Sequence, residues 1–213
     1  MELRGTITNG RPLLVFATDS ETQAIDTDLP VLVTGVGVLR AAIGLTEVLT
    51  EARLDGRVPS AIINLGTCGG LIDGPNGVYE VREVYKHDFS SELLEEIDGR
   101  PEINALTLHT SGLLPTARLA TGDSFIADTV IRTRLAERAE LVEMEGYCFA
   151  RIGHRYGIPV TLLKQISDGA NEESVGTWAD AVAEGSRQLN DALHTLAAAD
   201  SLVQAVPVPV ARP

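Results

Sequence analysis

Cysteine is scarce in this chain: Cys68 and Cys148 are the two it has. They match neither a disulfide framework nor a zinc-ligand spacing. No apolar run is long enough to span a bilayer, and no charged-then-apolar leader of the secretory kind opens the sequence. The expected setting is intracellular, reducing and cytoplasmic. Basic residues are also few, with 17 Lys and Arg against 30 Asp and Glu and a formal charge of −13. A nucleic-acid polymer or an anionic membrane would need a basic face, so neither is expected as a partner. A small neutral or cationic ligand stays open. His87, His109, His154 and His194 are scattered without a second ligand at metal spacing, so no metal site is expected. Internal repeats and Gly/Ser linkers are missing as well, which favours one domain over residues 1–200. The "VPVPVARP" stretch makes 201–213 an extended, mobile tail.

What is present is an ordinary globular balance of 44 % apolar and 22 % charged residues over 213 positions, enough for one large α/β domain. "PLLVFA" (12–17) reads as a short buried strand, followed by a turn or short helix at "TDSETQAI". "PVLVTG" (30–35) is a second strand. It breaks at Gly35-Val36-Gly37 and enters a long amphipathic helix with Leu39, Ile43, Val48 and Leu49 on its apolar face. "AIINLG" (61–66) is a third strand, and 77–89 and 104–109 are strand-like. "ARLATG" (117–122) precedes a helix over 123–139. "AELVEM" (139–144) and "IPVTLLKQIS" (158–167) are strands around a helix at 146–156, and a last helix covers 176–199. Strands separated by helices predict a mainly parallel sheet covered on both faces, with the ligand beyond the carboxyl ends of the strands.

Those ends carry Asp19 and Glu21, Gly35 and Gly37, Thr67-Cys68-Gly69-Gly70, Thr121-Gly122-Asp123-Ser124-Phe125, Glu143-Met144-Glu145 and Ser167-Asp168. Polar, acidic and glycine residues therefore gather on one edge. Gly-Val-Gly at 35–37 lacks the third glycine of a dinucleotide fingerprint, since position 40 is Arg, and reads as a tight turn. The glycines of "GTCGG" (66–70) serve a plain loop or a ligand's close approach equally well. Asp168 is either a turn acid or a proton donor whose pKa a partly buried site raises. Glu21 is either a solvated acid or part of the site. In "VEMEG", Glu143 and Glu145 share a face if the strand runs through 145; if it stops near Met144, Glu145 opens a helix. Paired carboxylates without basic neighbours suit hydroxyl groups or a developing cation better than a phosphate.

Taken in order, "TGVGVLRAAIG" (34–44), "IINLGTCGGL" (62–71), "ATGDSFIAD" (120–128), "VEMEG" (142–146) and "ISDGA" (166–170) resemble the nucleoside phosphorylase superfamily. Within it they resemble the methylthioadenosine/S-adenosylhomocysteine nucleosidase branch. The resemblance runs from about residue 12 to the final helix. It implies an α/β three-layer sandwich around a mixed, partly barrel-like sheet, a homodimer, a purine nucleoside as substrate and no cofactor. It further implies cleavage of an N-ribosyl bond, with Asp168 protonating purine N7 and Glu21 activating water. Glu145, beside Met144 and Thr67, would hold the ribose hydroxyls. Phe125 would stack on the base, the Ile126 backbone would read its edge, and Ser167 would orient Asp168. Glu143 and Lys164 would be supporting residues, Lys164 standing where this branch usually has arginine.

Phosphorylases of the superfamily carry an arginine three residues before the Ser/Thr of the Gly-rich strand end. Here that position is Asn64, and "ATDSE" (17–21) is not their Gly-Asp-Pro phosphate loop. Hydrolysis is therefore expected over phosphorolysis. The chain is short after its first acidic stretch and compressed over 88–116. The group at ribose C5′ stays open among methylthio, homocysteinyl, a futalosine-type group and plain hydroxyl. A phosphorylase and a non-catalytic nucleoside-binding relative are the alternatives.

Overall fold

The computed structural model describes the backbone of residues 1–210 of 213, and side chains outside 175–180. In chain order the strands and helices are β1 (Glu2–Arg4), β2 (Leu13–Phe16), β3 (Val31–Val33), α1 (Val38–Leu54), β4 (Ile62–Gly70), β5 (Val78–Lys86), α2 (Ser91–Asp98) and β6 (Ala105–Thr107). There follow β7 (Thr116–Thr121), α3 (Thr129–Ala136), β8 (Leu141–Glu143), α4 (Gly146–Tyr156), β9 (Val160–Asp168), α5 (Ser174–Ala198) and β10 (Val208–Pro209). A 3-10 turn, Asp19–Thr22, follows β2. Among the described residues no helix is long and apolar enough to cross a membrane.

Five strands close on themselves: β4 pairs β8, β8 pairs β7, β7 pairs β5, β5 pairs β9, and β9 returns to β4. This ring is the barrel-like part of the sheet. Outside it, β2, β3 and β1 form a wing on β4, and β6 and β10 extend the sheet beyond β5. The mainly parallel sheet expected from strand–helix alternation does not hold, because β4/β8, β5/β9, β5/β6, β1/β3 and β6/β10 all run antiparallel. The mixed sheet implied by the family resemblance is the one observed. Long strands make closure possible: β4 and β9 each have nine residues, and β4 is buried almost throughout. A strand covered on both faces needs no alternation, which is why "IINLG" reads as one apolar run.

Helices α1 and α4 pack on one side of the sheet around Val15, Leu45, Ile62, Phe149 and Leu162. The long α5 covers the other side, over Phe16, Ile63, Leu163, Leu189 and Leu196. The apolar face of α1 differs from the expected one. Ala41, Gly44, Leu45, Val48, Leu49 and Ala52 are buried, whereas Leu39 and Ile43 are 71 % and 57 % exposed. Small residues let the helix approach closely; a Cβ on Gly44 would lie 3.0 Å from Met1 Sδ. The helix expected over 123–139 begins only at Thr129, where Asp128 caps it by accepting the Ile131 N–H at 2.9 Å. That leaves 122–127 as a loop at the sheet edge. Beyond residue 200, Val160 N–H donates to Ala205 O, Val210 N–H donates to Ala105 O, and β10 pairs with β6. Residues 211–213 of the expected tail lie outside the described ones.

Candidate active site

At the carboxyl ends of β2, β4, β8 and β9 lies a cavity of about 330 Å³. Its lining includes Glu21, Thr67, Phe125, Ile126, Glu143, Met144, Glu145, Ser167 and Asp168, nine of the ten residues singled out in the sequence. The tenth, Lys164, is buried behind the wall on β9.

Glu21 reaches the site because the 3-10 turn is tied down from two directions. Thr18 N–H donates to Glu21 Oε2 (3.0 Å), and Ser186 of α5 donates its hydroxyl to the Glu21 carbonyl (2.8 Å). The other carboxylate oxygen, Oε1, accepts from Thr67 N–H (2.8 Å) and from Thr67 Oγ1 (3.1 Å). Gly66 makes this approach possible: a Cβ there would lie 3.3 Å from Glu21 Oε1 and 3.4 Å from Lys164 Nζ.

The strand β8 stops at Glu143, and Glu145 occupies the N-cap of α4 with non-helical backbone. The two acids are therefore divided between elements. Glu143 Oε2 accepts from the amides of Glu145 (2.9 Å) and Gly146 (2.8 Å) and from Lys164 Nζ (2.9 Å), while Oε1 accepts from Thr121 Oγ1 (2.5 Å). Burial alone would raise its carboxyl, but Lys164 and these donors outweigh it and hold the group below its usual range. Glu145 Oε1 accepts one protein hydrogen bond, from Gly37 N–H at 2.7 Å. Burial and the charge of Glu143 push its carboxyl up to about 8. The two neighbouring carboxyls are thus shifted in opposite directions, Glu143 down and Glu145 up.

Asp168 ends β9 just past a bulge: Cys68 faces Ile166 and Gly69 faces Asp168, leaving Ser167 as the extra residue. Its Oδ2 accepts from Ser167 Oγ (2.8 Å) and its Oδ1 from Ala170 N–H (2.9 Å). Gly69 must be small here, since a Cβ would come within 2.9 Å of Ala170 Cβ. At the mouth Phe125 is half exposed and Ile126 is buried. Asn64 points into the interior, donating to the Val15 carbonyl at 3.0 Å. No cluster of His, Cys, Asp and Glu suited to a metal occurs among the described residues. Burial raises both thiols, Cys148 to about 12, so neither is a ready nucleophile. Sequence reasoning missed the parts played by Thr18, the Gly37 amide and Thr121; the position of Thr121 at a strand end was the available signal.

A closed five-strand ring with acids from two strand ends, a helix N-cap and a 3-10 turn defines the class. Residues 74–199 match the model of the phosphorylase superfamily, and the chain belongs to that family. A 5′-methylthioadenosine/S-adenosylhomocysteine nucleosidase of Shewanella sp. (strain W3-18-1) is 26 % identical over 173 residues, covering 69 % of this chain and 71 % of the relative. Two Helicobacter pylori structures share the fold at 16 % identity and a TM-score of 0.74. One is a 5′-methylthioadenosine/S-adenosyl homocysteine nucleosidase complexed with a substituted pyrrolidin-3-ol, matched over 92 % of this chain and 100 % of that one. The other is a futalosine hydrolase mutant, matched over 89 % and 99 %.

Proposed function

We propose that this chain is a purine nucleosidase that hydrolyses the N-glycosidic bond of a 5′-modified nucleoside, releasing the free base and the modified ribose. The observation that carries this reading is the seat of Glu21. Its carboxylate fills the cluster of donors formed by Thr67 N–H, Thr67 Oγ1 and Thr18 N–H. The built-in carboxylate occupies these donors, and its charge repels an oxyanion that approaches them. Water is thus left as the nucleophile. Oε2, with one protein donor against two on Oε1, is the oxygen that takes its proton.

In the reaction the C1′–N9 bond breaks and its electron pair leaves with the purine. Asp168 is the acid on this reading and gives a proton to N7. Glu145 grips the ribose hydroxyls and faces the positive charge growing on the ring. Water oxygen bonds C1′ as Glu21 accepts the proton. Phe125 and Ile126 hold the base, Ser167 orients Asp168, and Glu143 with Lys164 braces Glu145. The 5′ group is methylthio or homocysteinyl on this reading, with a futalosine-type group as the second choice, since both activities occur among proteins of this fold. A second copy of the chain would cover Val36 at the cavity and exposed Leu39 and Ile43 on α1, and light scattering should then report twice 22.7 kDa.

The test is incubation with methylthioadenosine, S-adenosylhomocysteine, aminodeoxyfutalosine, adenosine and inosine, with and without phosphate, followed by assay of free base and sugar. Phosphate-independent release from a 5′-modified nucleoside is expected. Release that requires phosphate would make it a phosphorylase, and tight binding without release would make it a binding protein.

A further inference from the structure

Helix α1 starts without a cap of its own. Its N-cap is Gly37, at φ +98°, which has no side chain to accept a hydrogen bond from the first turn. Two carboxylates from elsewhere serve that end. Gly37 N–H donates to Glu145 Oε1, and Val38 N–H donates to Asp123 Oδ1 at 2.9 Å, from a residue 85 positions away. Asp123 lies in the loop between β7 and α3, two residues before Phe125 and three before Ile126. Its own amide donates to Asp88 Oδ2 at 2.9 Å, and Lys86 Nζ, paired with Asp88, stands 3.5 Å from Asp123 Oδ2. The loop that carries Phe125 and Ile126 is therefore fastened to the same helix end that orients Glu145.

We infer that Asp123 is a positioning residue, which supplies the missing cap of α1 and so couples the base-side loop to the ribose-side carboxylate. The helix end favours an anion, and a carboxylate that accepts an N-terminal amide is the usual device for stopping the first turn from fraying. Here the device belongs to a different segment, so fraying would loosen both halves of the site together. The catalytic consequence rests on the nucleosidase reading; the cap itself does not.

Two substitutions separate a specific cap from general packing. Asp123→Asn keeps an oxygen at the Oδ1 position, whereas Asp123→Ala removes it. The side chain is 55 % exposed, so neither change disturbs the core. Asp123→Ala should lower kcat/KM about five- to tenfold, mainly through KM, the size of a lost cap. Asp123→Asn should stay within about twofold of the parent. Independently of turnover, amide hydrogen exchange at Val38 and Gly37 should speed up in Asp123→Ala and hold in Asp123→Asn. Unchanged exchange in Asp123→Ala, or equal impairment by both variants, would overturn the inference. A parent protein that cleaves no nucleoside would defeat the functional reading and leave the exchange result to judge the cap.

Discussion

Lys164 Nζ lies 2.9 Å from Glu143 Oε2, and the two side chains are only 1 % and 3 % exposed. A fully enclosed ion pair next to a second acid is costly to assemble, and its value is in what it orders. Glu143 holds the amides of Glu145 and Gly146, so the ammonium on β9 indirectly fixes the start of α4.

Lys164→Met should therefore destabilise the fold by about 3–5 kcal/mol, measured by urea unfolding at pH 7, because Glu143 is left buried without its partner. Glu143, lowered from 4.5, contributes stability that is present above its unfolded value and lost as pH falls through the lower folded one. Lys164, raised from 10.5, contributes stability that is lost only at still higher pH. Both contributions are intact at neutrality. A loss below 1 kcal/mol would show that the pair is not what holds this corner.

Glu145 carries the opposite sign. Its carboxyl is raised to about 8 from 4.5, so the folded chain binds an extra proton between those values. Stability must then fall as pH rises through that window. Glu145→Gln removes the slope: its melting temperature should exceed the parent's by more at pH 8 than at pH 5. An equal offset at the two pH values would mean that the carboxyl titrates normally.

Glu21→Ala should lose about 10²–10⁴-fold in turnover, the usual worth of a general base. It would also leave Thr67 N–H, Thr67 Oγ1 and Thr18 N–H without their carboxylate. Formate, a carboxylate of the right size, should recover part of the rate in a saturable way. Sulfate and phosphate at equal ionic strength should not. If formate has no effect, Glu21 does more than present a carboxylate there.

On the proposed mechanism, Asp168→Asn keeps the shape but cannot deliver the proton to the leaving purine. Turnover should drop about 10²–10⁴-fold, with nucleoside binding retained in calorimetry. Near-normal turnover would remove Asp168 from the role of acid.

Much of the architecture was legible because buried strands announce themselves as short apolar runs: Leu13–Phe16, Val31–Val33 and Val160–Asp168 fall where the sequence puts them, and Ile62–Gly70 starts there but continues as strand through the glycines read as a loop. The strands that escaped are those without such a run. Glu2–Arg4 is exposed at every residue, and Val208–Pro209 contains a proline on an edge. Helix α1 was found and Val48 and Leu49 lie on its buried face as expected, but in its first half the large side chains at 39 and 43 outweighed the small Ala41 and Gly44 that are buried instead. In the site, the acids stood out as strand-end residues. The Lys164–Glu143 pair did not, since it joins positions 21 apart across two strands that are not neighbours in the sheet. Nor could the Gly37 amide, which has no side chain to notice, be tied to Glu145 from sequence.

The closed ring has an implication for how such a chain can diversify. A hoop of five strands has no free rim along which one member could slide, because a one-residue slip in any of them would turn its inward residues outward and break two seams at once. Thr67, Glu143 and Asp168 ride on that hoop and are locked to a common frame. New specificity would then have to come from the connecting loops, which can lengthen or shrink while these three side chains stay where they are.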